Sequence, residues 1–139
     1  MVGAIVDQRS HICVRNVPKK GRGVFANVPF KIGELIEQSP TWGFMRSDEN
    51  LLERTGLFNY YFVRPSPSPV TTQISGYVVF GLISIVNHSS NPNSQILWID
   101  EDTGTWARIV ALKDIEVGEE ITHRYANIND YPKTIKFVE

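Results

Sequence analysis

One cysteine and two methionines stand among 139 residues, and this scarcity of sulfur settles several questions at once. Cys13 alone cannot close an internal disulfide, and His11, His88 and His123, the only histidines, are scattered along the chain without the spacing of a zinc site. Neither a disulfide framework nor a metal cofactor is expected. An excess of one charge is also missing: 14 basic and 15 acidic side chains leave a net charge of −1. The basic ones are dispersed except at Pro18-Lys19-Lys20, which argues against direct binding of nucleic acid. No run of about 18 apolar residues is present to span a bilayer, and Met1 to Ser10 lack the apolar stretch of a secretory signal. The expectation is a soluble protein with no membrane partner, working inside a cell, in the cytoplasm or in a nucleus.

What remains is enough for one domain with its own core. Ten glycines and eight prolines break the chain into short runs rich in Val, Ile, Phe, Tyr and Trp, which predicts a mainly β fold. Strands are expected at Ile12 to Val17, Val24 to Val28, Glu34 to Gln38, Tyr77 to Phe80, Gln95 to Ile99, Thr105 to Ala111 and Glu120 to Tyr125. Ile96 to Asp100 and Thr105 to Ile109 should form a hairpin across Glu101 to Gly104. One short helix is expected at Asp48 to Thr55, capped by Ser47 and ended by Gly56. The alternating prolines of Arg64 to Pro69 predict an extended loop. Acidic residues gather at Asp100-Glu101-Asp102 and at Asp114, Glu116, Glu119 and Glu120, a solvated rim that could also attract a basic peptide. Trp42, Trp98 and Trp106 read as core or surface-strand aromatics.

Three segments carry possible chemistry. Gly21-Arg22-Gly23-Val24-Phe25-Ala26 matches a dinucleotide fingerprint in letters, but Val24, Val28, Pro29 and Gly33 leave no room for the helix that would hold a pyrophosphate. It leaves a glycine pair beside a strand, suited to close approach of backbone to a ligand or to a plain turn. Asn87-His88-Ser89-Ser90-Asn91-Pro92-Asn93 opens abruptly from the apolar run Leu82 to Val86, and on spacing alone reads as a turn. Gly118-Glu119-Glu120-Ile121-Thr122-His123-Arg124-Tyr125 places a tyrosine beyond a glycine turn and a strand.

Taken together and in this order, the three segments resemble the motifs of the SET domain, from Gly21 to Tyr125. Gly33-Glu34 and Asn59-Tyr60-Tyr61-Phe62 resemble further sections of small stand-alone members without a zinc-binding segment. The resemblance implies a β-clip of several short sheets with one or two short helices, and a pseudoknot in which the segments around Asn87-His88 and Tyr125 pass through one another. It implies a domain over residues 1–126, with a variable insert at about 40–75, and a tail at 127–139 that could cover the site with Tyr131 or Phe137.

The activity it implies is methyl transfer from S-adenosylmethionine, leaving S-adenosylhomocysteine, to the side-chain amine of a lysine in a protein, with basic proteins of the histone-like or ribosomal kind among the candidate partners. By the same resemblance the cofactor would meet Arg22, Gly23, Asn87, His88 and Tyr125. Tyr125 would be the central catalytic residue, and Tyr60 the second wall of a substrate channel, with Tyr61 and Tyr77 as substitutes. His123 stands in that channel where many members carry Phe or Tyr that limits the number of methyl groups. The same motifs on a chain that had lost catalysis would instead make a peptide-binding module that accepts a partner's strand at a sheet edge.

Overall fold

The structure, a computed structural model, describes residues 10–65 and 74–126. β1 (Ile12–Val17) and β2 (Gly21–Ala26) form an antiparallel hairpin with Val17 opposite Gly21. Its turn needs two left-handed residues, and Lys19 (φ 69°) and Gly21 (φ 87°) supply them. The need for pairing up to the turn explains why β2 starts three residues before the expected Val24 and stops short of Val28. β3 (Leu35–Met45) outruns the expected Glu34 to Gln38 because it serves two partners in turn. Its first half pairs with β7 (Gly104–Ala111) and its second with β4 (Ile74–Val79), which covers most of the strand expected at Tyr77 to Phe80.

The expected helix is shorter than its signal. A 3-10 turn occupies Arg46–Asp48 and α1 covers Glu49–Glu53. Ser47 lies inside the 3-10 turn and caps nothing; Asp48 is the N-cap position and makes no side-chain cap bond. Gly56 does not end the helix but begins a second 3-10 turn, Gly56–Asn59, capped by the Thr55 hydroxyl, which accepts from Leu57 N–H at 3.2 Å. Thr55 Oγ1 also donates to Leu52 O at 2.8 Å, so one side chain closes the first element and opens the next.

β5 (Asn87–His88) follows a 3-10 turn at Leu82–Ile85; β6 (Ser94–Glu101) and β7 make the expected hairpin, with Gly104 at φ 111°. β8 (Glu120–His123) ends two residues before Tyr125. Among the described residues two four-stranded sheets result, ordered β1-β2-β8-β5 and β4-β3-β7-β6. Their apolar faces meet in one core that joins Ile12, Val24 and Ile121 from the first sheet to Ile36, Ile109 and Ala111 from the second. No helix among the described residues is long and apolar enough to cross a membrane.

β8 lies antiparallel to β2 on one side and parallel to β5 on the other, with Asn87 opposite Thr122 and His88 opposite His123. The chain beyond β5 then clasps the same strand. Ser89 N–H donates to His123 O at 3.0 Å, and the Asn93 side chain pairs twice, donating to Glu120 O at 2.8 Å and accepting from Thr122 N–H at 2.9 Å. Ser94 Oγ donates to Thr122 O. Asn93 thus stands in for a strand that is not there, satisfying β8 backbone that would otherwise be buried unpaired. This crossing is the pseudoknot of the β-clip.

Candidate active site

The aromatic segment after α1, the start of β6 and the residues leaving β8 enclose a cavity of about 220 Å³. Tyr60, Tyr61 and Phe62 form one wall, Ile96 and Trp98 another, and His123 with Tyr125 the floor. Rings dominate, and they hold one another. Tyr61 meets Phe44 edge-on at 5.4 Å, Phe62 meets Trp98 edge-on at 6.3 Å, and Phe62 stacks on His123 at 5.5 Å with the planes 14° apart. Phe62 is fixed further by paired backbone bonds to Tyr77, each 2.8 Å.

His123 is buried, only 3% exposed, and its Nε2 has no hydrogen-bond partner. Burial disfavours the imidazolium and, opposed by a hydrogen bond with the Arg124 backbone and aided a little by the neighbouring His88, pushes its pKa down to about 4. At neutral pH the cavity floor therefore carries an uncharged ring.

A second group of residues is joined to Tyr125 through His88, the neighbour of Asn87 in β5. Asn87 Nδ2 donates to Arg22 O at 2.9 Å and to Glu120 Oε2 at 2.7 Å, and Lys20 Nζ stands 3.6 Å from Glu120 Oε1. Gly23 makes this meeting possible: a Cβ there would stand 2.5 Å from Glu120 Oε2 and 2.9 Å from Asn87 Nδ2. The Tyr125 backbone N–H donates to His88 Nδ1 at 3.1 Å, their rings are 5.1 Å apart, and the Tyr125 hydroxyl donates to Val86 O at 3.2 Å. The imidazole of His88 thereby sets the exit angle of the chain from β8, and so the direction of the Tyr125 ring.

The structure brings Tyr60, Tyr61, His123 and Tyr125 to one cavity, and Arg22, Gly23, Asn87 and His88 to a neighbouring cluster, with Tyr125 shared. Tyr77 does not reach the cavity. It is buried behind the wall, its ring 5.0 Å from Trp98. The cavity also takes residues absent from the sequence-based site, among them Phe62, Ile96 and Trp98. Period-2 alternation marks Ser94, Ile96 and Trp98 as one face of β6, but which space that face meets is decided by the tertiary fold. The acidic residues are mostly engaged locally. Asp100 binds Arg64 through both oxygens at 2.9 and 3.1 Å, Asp114 accepts from Ile32 N–H, and Glu119 from Glu116 N–H. Among the described residues no group of His, Cys, Asp and Glu gathers that could hold a metal ion. Tyr131 and Phe137 lie outside the described residues.

Comparison with known proteins meets this geometry from another direction. A curated relative, the histone-lysine N-methyltransferase of Schizosaccharomyces pombe described as specific for H3 lysine-37, is 27% identical over 119 residues, 86% of this chain and 76% of the relative. The Neurospora SET domain protein DIM-5, a histone lysine methyltransferase, superposes with a TM-score of 0.64 over 91% of this chain and 55% of its own, at 20% identity. A humanised mutant of the Chaetomium thermophilum Polycomb Repressive Complex 2 superposes at 0.67 over 85% of this chain and 15% of the other, at 18% identity. These likenesses establish the fold. The SET domain model itself matches residues 21–126, from the glycine pair through the clasped strand to just past Tyr125, and by that match the chain belongs to the SET domain family.

Proposed function

We propose that this chain transfers a methyl group from S-adenosylmethionine to the side-chain amine of a lysine in a protein substrate, with the amine entering the aromatic cavity and the cofactor lying against Arg22, Gly23, Asn87 and His88. The observation that carries this reading is Tyr125, whose ring lines the cavity while its backbone is bonded to His88 in the neighbouring cluster. A group transferred between two binding places must pass such a shared wall. The cluster fits an S-adenosyl amino acid by its chemistry. Gly23 lets the Asn87 amide and the Glu120 carboxylate meet against the backbone of β2, and the Asn87 amide is ordered.

The chemistry asked of the protein is modest but specific. A free lysine with a pKa of about 10.4 is neutral in roughly one molecule in 2,500 at pH 7, a deficit of about 4.6 kcal/mol. Walls of Tyr60, Tyr61, Phe62 and Trp98 withhold water from an entering ammonium and favour its neutral form. His123, uncharged at neutral pH, adds no repulsion at the floor. Ring faces also accept an ammonium that already carries methyl groups. S-adenosylmethionine would supply a methyl bonded to a positively charged sulfur. The Tyr125 hydroxyl, whose proton is directed at Val86 O, keeps an oxygen at the cavity floor that can orient the amine for in-line attack.

The Schizosaccharomyces relative makes a basic histone tail the first substrate to test, with ribosomal proteins second. Labelled methyl donor incubated with histone H3 and with ribosomal proteins should mark lysine, read by mass spectrometry. Tyr125→Phe should lower turnover by about two orders of magnitude while S-adenosylhomocysteine still binds. Calorimetry should show saturable binding of S-adenosylhomocysteine that Asn87→Ala weakens. A folded protein that binds none overturns the reading in favour of a module that only binds peptide.

A further inference from the structure

Both amide hydrogens of Asn87 are already used inside the protein, one by Arg22 O and one by Glu120 Oε2. A carbonyl and a carboxylate only accept, so the atom between them is the nitrogen and the orientation of the amide is set by chemistry. Oδ1 is left as an acceptor, and among the described residues no hydrogen bond reaches it. The partner it can take from a ligand is therefore a donor, and a cationic donor gains the most beside a carboxylate.

The arrangement is assembled from four places in the chain. Arg22 and Gly23 come from β2, Asn87 from β5, Glu120 from β8, and Lys20 from the hairpin turn. Lys20 meets Oε1 while Asn87 meets Oε2, so the two carboxylate oxygens are divided between a cation and an amide. Glu120 is only 18% exposed at its side chain. Of the two bonds that orient Asn87, the one to Glu120 is the shorter and the one that carries charge.

We infer that Glu120 is a positioning residue: it holds the Asn87 amide so that Oδ1 faces the α-ammonium of the amino-acid part of the methyl donor. This rests on the cofactor reading given under the proposed function. A glutamine at position 120 keeps the shape but must offer Asn87 either an oxygen, with its own NH2 turned on Lys20, or an NH2 that repels Nδ2. The first sets that NH2 donor against the Lys20 ammonium and the second sets a donor against Nδ2, so either way the hold on the amide is weakened, and a flipped Asn87 would point hydrogens at an ammonium.

The experiment compares two ligands on two full-length proteins by calorimetry. The ligands are S-adenosylhomocysteine and its deaminated analogue, which keeps adenine, ribose, thioether and carboxylate but lacks the ammonium. The proteins are the natural chain and Glu120→Gln. The expected result is a tenfold or larger loss for S-adenosylhomocysteine and less than a twofold loss for the analogue, with an unchanged melting temperature for the unliganded protein. Equal losses for both ligands, or no loss for either, overturn the inference, because a merely structural role would not distinguish an ammonium. If Glu120→Gln does not fold, Glu120→Asp, one methylene short of Asn87, is put through the same comparison and read in the same way. Failure of the natural chain to bind S-adenosylhomocysteine is a different result: it removes the cofactor reading, and this inference with it.

Discussion

Acid should find His123 before it finds the rest of the protein. In the fold its pKa is pushed down to about 4, chiefly by burial. In the unfolded chain it returns to about 6.5, so between these values the unfolded state binds the proton that the folded state refuses. The stability that depends on a neutral His123 is fully present above about pH 6.5 and is lost as pH falls towards about 4, at up to about 1.4 kcal/mol per pH unit. Going from about pH 7.5 to about pH 5, this single group should remove about 2 kcal/mol, a large part of the margin of a small domain. His123→Phe keeps the ring that stacks on Phe62 and removes the titration. Urea unfolding of both proteins at the two pH values separates this contribution from that of the other groups, which cancel in the difference. The natural protein should lose about 2 kcal/mol more than the variant on acidification. Equal losses would refute the claim that burial holds this ring neutral.

Gly23→Ala should cost about 1–3 kcal/mol in urea unfolding, because its methyl overlaps the contact between Asn87 and Glu120, and S-adenosylhomocysteine affinity should fall with it. Trp98→Ala removes a half-buried ring that touches Phe62 and Tyr77 and should destabilise by about 2 kcal/mol while widening the cavity; a urea midpoint unchanged at constant slope would contradict that packing role. Asp100→Ala breaks the bidentate pair with Arg64 at the exposed hairpin end and should cost less than about 1 kcal/mol, a difference that high salt should reduce further in thermal unfolding.

The parts of the fold that local chemistry dictates were legible in the chain. β1 occupies Ile12–Val17 as expected, and the β6–β7 hairpin turns where Gly104 permits a positive φ. Where a strand answers to distant partners, its length could not be read locally: β3 runs on to Met45 because β4 takes over from β7 along it. The helix near Glu49 followed its composition only in part, since Thr55 rather than Gly56 closes it. Among the site residues, letters alone made Asn87 to Asn93 a turn, but Asn87–His88 form the strand β5 and the chain bends only beyond them; what spacing could not show is that Asn93 pairs with backbone almost thirty positions away. Tyr77 was aromatic and in the right strand, yet the pleat turns it behind the cavity wall, while Phe62 and Trp98 face inward.

The clasp around β8 governs how the protein comes into being as well as how it is built. β2 waits for a partner that is synthesised almost at the end of the described chain, and β5 cannot be finished until that same strand is in place. Such distant pairing delays folding, since the loop must close before any of these contacts repays it. It also means that Asn87, His88, Glu120 and Tyr125 arrive together or not at all, because each depends on a bond that crosses the clasp. A fragment ending before Glu120 would have no half-site to offer, and amide protons of β8 should exchange only when the entire domain opens. A ligand held by these residues would then raise the melting point of the whole molecule rather than steady one corner of it.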